Sequence, residues 1–399
     1  MSTVSKKPKL FRLTTVPISI HVLINGQPKY VQKHGFDVHL ACANGDEIKE
    51  VESETGIEVK ILPLTRKISL FTDAIALWQT YLYFKKEKPQ IVHTHTPKAG
   101  IVGMLAAKLT GVPIRMHTVA GLPLLETSGV KRKVLNFVEK LTSWSTTNIY
   151  PNSFALKQIL INQKLASYNK LKVIGNGSSN GIDTNYFSRD KFSISFISEL
   201  KKKLKIKSNE IVFCFVGRIV KDKGINELLY AFNKLSRENK KVKLLLVGNE
   251  ERELDTIDGK SQKILEDNQQ IVSVGWQEDV RPFLSISDVF VFPSYREGFP
   301  NVVMQAGAME LPSIVTNING CNEIIEDSVN GSIIPVKDKN ALFDKMKLLA
   351  DGENLRMKLA KPARQVIVER YEQEYVWKEL LKEYVRLLDE KRIEHSIEL

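Results

Sequence analysis

The sequence predicts an α/β protein made of two doubly wound, parallel-sheet domains. Three observations predict it. Short, β-branched, near-continuous apolar runs alternate with longer amphipathic stretches along almost the whole chain, as parallel strands covered by helices on both faces do. The alternation comes as two series, separated by the Gly- and Asn-rich segment GNGSSNGIDTNYF at residues 175–187. At 399 residues the chain is also too long for one ordinary core.

In the first series, strands are read in KLFRLTTV, FDVHLACA, IEVKILPL, QIVHTHT, IRMHTVA and LKVIGNG. Helical spacing runs over residues 73–86, 99–109, 131–144 and 153–165 between them. A lysine-rich helical stretch, DKFSISFISELKKKLKIKSNE, leads into the second series. Its strands are IVFCFVGR, VKLLLVGN, QIVSVGW, DVFVFPS, PSIVTNI and GSIIPV. Residues 373–392 close the chain with one apolar helical stripe through Tyr375, Val376, Leu380, Leu381, Tyr384, Leu387 and Leu388.

Composition narrows the classes. With 43% hydrophobic and 26% charged residues the chain is ordinary globular material. No apolar run approaches the roughly 18 residues that span a bilayer. The start, MSTVSKKPKLF, is basic without an apolar core, which argues against a secretory signal. Cys42, Cys214 and Cys321 lie far apart and without metal-ligand spacing, as buried thiols of a reducing cytoplasm do. The net charge of +12 is one-sided: residues 1–190 hold 25 Lys and Arg against 13 Asp and Glu, and residues 191–399 hold 33 of each. A one-sided excess predicts that the first half meets something anionic. Nucleic acid is disfavoured, because the cations are not interleaved with a series of stacking aromatics.

Two stretches carry the chemistry. In PSYREGFPNVVMQAGAMELP, residues 293–312, a strand ends at Pro293, Glu297 and Gly298 follow, and helical spacing begins near Asn301. A helix start beyond the carboxyl end of a parallel strand offers open N–H groups and a positive dipole end to a phosphate. Glu297 and Gln305 are both good partners for sugar hydroxyls, and read as helical they stand up to about 12 Å apart. The bland alternative, an acidic residue before an ordinary helix, is equally open on this stretch alone. In VFCFVGRIVKDKGINELLYAF, residues 212–232, Gly217-Arg218 and Lys223-Gly224 sit at a strand-to-helix turn. Arg218 by its fork and Lys223 as a point charge form an anion clamp. Neither a Walker loop nor G-x-G-x-x-G is present, no Asp-x-Asp pair offers a divalent metal site, and no hydrolase nucleophile elbow occurs.

GRIVKDKG, VSVGWQEDVRPFLSISDVFVFPSYREGFPNVVMQA and NGCNEIIEDSVNGSIIP, in this order, resemble the retaining GT-B glycosyltransferases of family four. The match runs over about 150 residues of the second domain and is looser in the first. The resemblance implies a GT-B fold, two Rossmann-like domains facing a cleft. Residues 1–185 would bind acceptor, residues 186–372 would bind donor, and helix 373–392 would pack back onto the first domain. It implies that Glu297 holds donor-sugar hydroxyls, that Arg218 and Lys223 neutralise the departing diphosphate, and that the backbone of Gly298, Phe299, Pro300 and Asn301 completes the cradle. Gly217 belongs to the same turn, and Gly275 and Trp276 would lie near the base. In this family a second Glu holds the ribose; here that place falls on Gln305, an amide that keeps the hydrogen bonds without the charge. Gly26 in LINGQ would face donor and acceptor from a loop after the first strand. His117 in RMHTVAG would lie near the reaction centre.

By the same resemblance the reaction is metal-independent, needs no cofactor beyond a UDP-linked sugar donor, and builds on a polyprenyl-diphosphate-linked glycan at the inner face of the cytoplasmic membrane. VHTHTPKAG, with His95 and Lys98, is the acceptor candidate; His93 and His95 lack a third metal ligand. KRKVLNFVEKLTSW, residues 131–144, fits an anionic membrane surface and equally fits a helix packed on its own sheet. A GT-B sugar-nucleotide epimerase and a non-catalytic binder of anionic ligands remain as alternatives.

Overall fold

The computed structural model describes residues 7–67, 69–251 and 255–397; the first six residues of the basic start fall outside this range. The chain divides into two compact units, residues 1–181 with 373–399, and residues 182–372.

The first unit carries β1 (Lys9–Leu13), β2 (Asp37–Cys42), β3 (Val59–Ile61), β4 (Ile91–Thr94), β5 (Ile114–Val119) and β6 (Asn148–Pro151). They form one parallel sheet in the order β3-β2-β1-β4-β5-β6. The second unit carries β7 (Ile211–Val216), β8 (Val242–Val247), β9 (Ile271–Ser273), β10 (Val289–Phe292), β11 (Ser313–Thr316) and β12 (Gly331–Ile334), ordered β12-β11-β10-β7-β8-β9. All of its pairings are parallel too. The apolar runs explain the burial: Val212, Phe213, Cys214 and Phe215 of β7 and Val289, Phe290 and Val291 of β10 are fully buried. Each sheet reverses its strand order once, between β1 and β4 and between β7 and β10. Ligands of open α/β sheets bind beyond the strand ends at such points.

Three local features differ from the sequence expectation. LKVIGNG does not form a strand; only Leu171 bridges to Ile149, and Gly175 and Gly177 then turn the chain away with φ of 52° and 99°. Two short helices, Ile18–Ile24 and Gln27–Lys33, fill the stretch read as a loop around Gly26. Helix Gly129–Ser145 buries its small polar residues Thr142, Ser143 and Ser145 and leaves Val130, Val134, Phe137 and Trp144 exposed. It has no basic residue in its last turn. Its terminal carbonyls are met by cations from elsewhere: Lys170 donates to Ser143 and Thr146, Lys108 to Trp144 and Arg115 to Ser145.

The closing helix, Gln373–Glu390, lies in the first unit and buries Leu380, Leu381, Tyr384, Leu387 and Leu388 in its core. Its Glu383 carboxylate is 2% exposed and fully engaged, accepting from Tyr150, Lys172 and Arg386. These donors hold it below the usual carboxylate range against the cost of burial.

Candidate active site

The second unit gathers its charged residues at the β7/β10 switch point. The turn after β7 runs from Gly217 to Gly224, and the turn after β10 runs from Pro293 to Pro300. They touch at Gly224, which has φ +71°; a Cβ there would sit 2.0 Å from the Pro293 carbonyl oxygen, so no side chain fits. That approach joins the two motifs. Lys223 Nζ lies 2.5 Å from Glu297 Oε1, with both side chains 17% exposed. Ser294 Oγ donates to the same carboxylate oxygen at 2.9 Å, and Asn319 Nδ2 donates to the Glu297 carbonyl at 2.8 Å. Thr316 in turn donates to the Ser294 carbonyl.

Arg218 is 46% exposed at the rim. It pairs with Glu251 at 2.8 Å and approaches Asp222 at 4.0 Å, and the hydrogen bond it donates to Glu251 leads in raising its pKa. Asp222 also takes Arg296 at 2.9 Å, while Tyr295 donates to Glu227 at 2.7 Å. The clamp and the elbow therefore carry two adjacent sets of ion pairs, Lys223–Glu297 and Glu251–Arg218–Asp222–Arg296. A Lys ammonium has three donors, so Lys223 can hold Glu297 and still face an arriving phosphate oxygen.

Helix Asn301–Ala308 begins at Pro300, and no side chain caps it. Its first N–H groups are thus open to an anion. Gly298 lies in the coil before it. Phe299 is 8% exposed and packs on the Tyr371 ring, so it supports the elbow from inside. Residues 297–300 are not helical, which corrects the spacing taken for Glu297 and Gln305. Gln305 lies only one turn into the helix, half-buried. Gly217 donates to Val247, and the Gly248 N–H donates to Gly275. Asn249 Oδ1 then accepts from the Trp276 N–H at 2.8 Å, leaving the indole 66% exposed.

The remaining candidates belong to the first unit. Gly26, at φ +78°, meets the Trp377 indole; an added Cβ would lie 2.3 Å from the ring. His117 is 4% exposed, its Nδ1 is 2.8 Å from Thr94 Oγ1, and burial pushes its pKa down to about 4. His95 is buried against Arg12. Lys98 is paired with Asp73 at 2.5 Å. His93 uses both ring nitrogens, with Tyr384 and Thr118 as partners, which leaves neither for a metal. Among the described residues, the group compact enough for a cation is the exposed set His21, Glu50 and Glu54. Sequence reading missed Asp222, Asn249, Glu251, Ser294 and Asn319. Asp222, Ser294 and Asn319 lie inside the quoted stretches KDKG, PSYREGF and NGCNE; Asn249 and Glu251 are joined to the site by contacts distant in sequence.

Residues 196–366 match the family described as glycosyl transferases group 1, and residues 16–153 match glycosyl transferase 4-like. The capsular polysaccharide biosynthesis glycosyltransferase CapM of Staphylococcus aureus is 37% identical over 385 residues, 96% of this chain and 99% of that protein. The chain belongs to the group 1 glycosyltransferases. An Escherichia coli UDP-Gal:alpha-D-GlcNAc-diphosphoundecaprenol alpha-1,3-galactosyltransferase is 32% identical, with 84% of each chain covered. The two six-stranded parallel sheets with flanking helices are the GT-B fold. A crystal structure of a glycosyltransferase from Rickettsia africae shares it with a TM-score of 0.80, at 19% identity, over 96% of this chain and 99% of that one.

Proposed function

We propose that this glycosyltransferase moves a sugar from a UDP-linked donor to a saccharide on a polyprenyl diphosphate carrier, with retention and without a metal. The Lys223–Glu297 pair beside an uncapped helix start carries the reading, because it offers a cation, a hydroxyl acceptor and N–H donors at one point. The donor and acceptor named for the Escherichia coli relative support the substrate class. In the reaction the bond from the anomeric carbon to the diphosphate oxygen breaks and a bond to the acceptor oxygen forms. The acceptor proton passes to the departing phosphate on the same face of the sugar. Lys223 and Arg218 stabilise the charge that develops on that phosphate, and Glu297 holds donor hydroxyls. Glu297, Asp222 and Glu251 are already paired with protein cations, which supports a metal-free reading. A panel of sugar nucleotides with bacterial lipid extract tests it. Nucleotide release should require both one donor and the lipid fraction, and should survive EDTA. Interconversion of the donor without lipid would favour the epimerase.

The reading includes docking on an anionic membrane. No helix among the described residues is long and apolar enough to cross one. Helix Leu70–Glu87 exposes Phe71, Ile75, Trp78 and Leu82 at helical spacing, and helix Gly129–Ser145 exposes Val130, Val134, Phe137 and Trp144. Helix Pro97–Leu109 packs against both, so the two stripes belong to one helical layer. Lys131 and Lys133 stand exposed beside the second stripe. Arg132 is instead occupied, donating to Leu124, Asn136 and Gln163. A K131Q/K133Q variant should therefore bind anionic vesicles roughly 30-fold more weakly, at about 1 kcal/mol per cation. Cosedimentation with vesicles with and without anionic lipid measures this. Equal pelleting of wild type on neutral vesicles would remove the electrostatic part.

A further inference from the structure

We propose that the first unit binds a small monovalent anion of halide size in a buried cavity at its own switch point, between Arg12 of β1 and His95 just past β4. Arg12 is 1% exposed, and no Asp or Glu among the described residues pairs with it. A buried guanidinium stays charged, and an uncompensated buried charge is costly. Three of its donor interactions are internal: Nε and Nη2 both point to His95 Nε2, at 3.2 and 3.0 Å, and Nη2 also donates to Gln27 Oε1 at 2.7 Å. Its Nη1 has no partner.

The contacts decide the His95 tautomer. A guanidinium only donates, so Nε2 must be the bare nitrogen and the proton must sit on Nδ1. Burial, then the neighbouring His93 and Arg12, holds this ring neutral. His95 Nδ1 is therefore an N–H donor, and it too is buried without a partner, as is Ser179 Oγ.

Arg12, His95 and Ser179 line one cavity of about 20 Å³, together with Asn152. That volume suits a single solvent-sized occupant. A water could accept from Arg12 and His95 and donate to Ser179 Oγ, but it would leave the buried positive charge uncompensated; a halide accepts from all three groups and neutralises that charge. Asn152 Oδ1, which can only accept, is also unpartnered in the lining, and among the described residues its Nδ2 makes only a long 3.4 Å contact with the Ala120 carbonyl. Turning the amide would present its NH₂ to the cavity. The occupant would also brace the end of the unit: Gln27 donates onward to Ser179 and Asn180, and Trp377 donates to Asn180.

The full-length protein is exchanged into gluconate, and thermal unfolding is followed while sodium gluconate is replaced by chloride or bromide at constant ionic strength. A saturating rise of about 2–4 °C is expected in wild type, a smaller one in S179A and none in R12Q. If R12Q does not fold, crystals grown in sodium bromide decide alone, by an anomalous peak in the cavity. Identical unfolding in halide and gluconate, an equal rise in S179A, or a water without anomalous signal in that position would overturn the proposal.

Discussion

Replacing Lys223 by Ala lowers sugar transfer by about 10²–10³-fold in a protein that still folds, the usual cost of removing one donor to charge developing in a transition state. Glu297→Ala should fall in the same range for a different reason. It removes the hydroxyl acceptor and releases Lys223 from its 2.5 Å partner, so donor affinity should hold or tighten while turnover drops. Because the two side chains form one ion pair, the double variant should be no worse than about the worse single one. Lys223→Arg should recover part of the loss, since the charge returns with altered geometry. Arg218→Ala should cost less than either, because Arg218 is 46% exposed and already shared between Glu251 and Asp222. Initial rates against donor concentration, with circular dichroism to verify folding, measure all of this. Wild-type turnover in folded Lys223→Ala would remove the site from the mechanism.

The second large effect is acid sensitivity of the first unit between pH 6.5 and about 4. His93, His95 and His117 are 1%, 3% and 4% exposed. Burial lowers all three pKa values, that of His117 to about 4. In the unfolded chain each would titrate near 6.5. Below that pH the unfolded state binds more protons, so stability is complete above about 6.5 and is lost as pH falls towards the folded values. His117 alone accounts for roughly 3 kcal/mol across this window, and His93 and His95 act in the same direction. Glu383 adds loss in the same direction, but only below the ordinary carboxylate range, since its pKa is depressed. The urea midpoint should fall from pH 6.5 to 5, with protons taken up on unfolding near pH 5. Calorimetry in buffers of different ionisation enthalpy counts them. A midpoint that stays flat over this range would mean that the rings are hydrated or charged in the folded protein.

The sheets were legible because parallel strands buried on both faces need near-continuous apolar runs, and IVFCFV and DVFVF have no other economical use. The elbow and clamp were legible for a related reason: strand, glycine turn and charged residue are neighbours in the chain. Their union was not. Lys223 and Glu297 are 74 residues apart, and Gly224 lets their turns approach only because β7 and β10 are neighbours in the sheet. Glu251 likewise reaches the site from another strand end and carries no motif of its own, while Asn319 opens a quoted motif whose contact with Glu297 the chain does not reveal.

Periodicity showed that residues 129–145 have an apolar stripe, but it could not show which way the stripe faces. Packing against helix Pro97–Leu109 is made by small side chains, and this turns Phe137 and Trp144 outward. Arg12 makes the same point from inside the fold. Nothing in KLFRL distinguishes a solvated arginine from a buried one; only the placement of His95, Gln27 and Ser179 around it leaves its charge without a carboxylate. The α/β class, the two series of strands and the local chemistry of each turn follow from residues adjacent along the chain. The tertiary structure decided which turns meet, which helix faces stay exposed and which charges stay unpaired, because those depend on strand order and close packing between residues far apart in sequence.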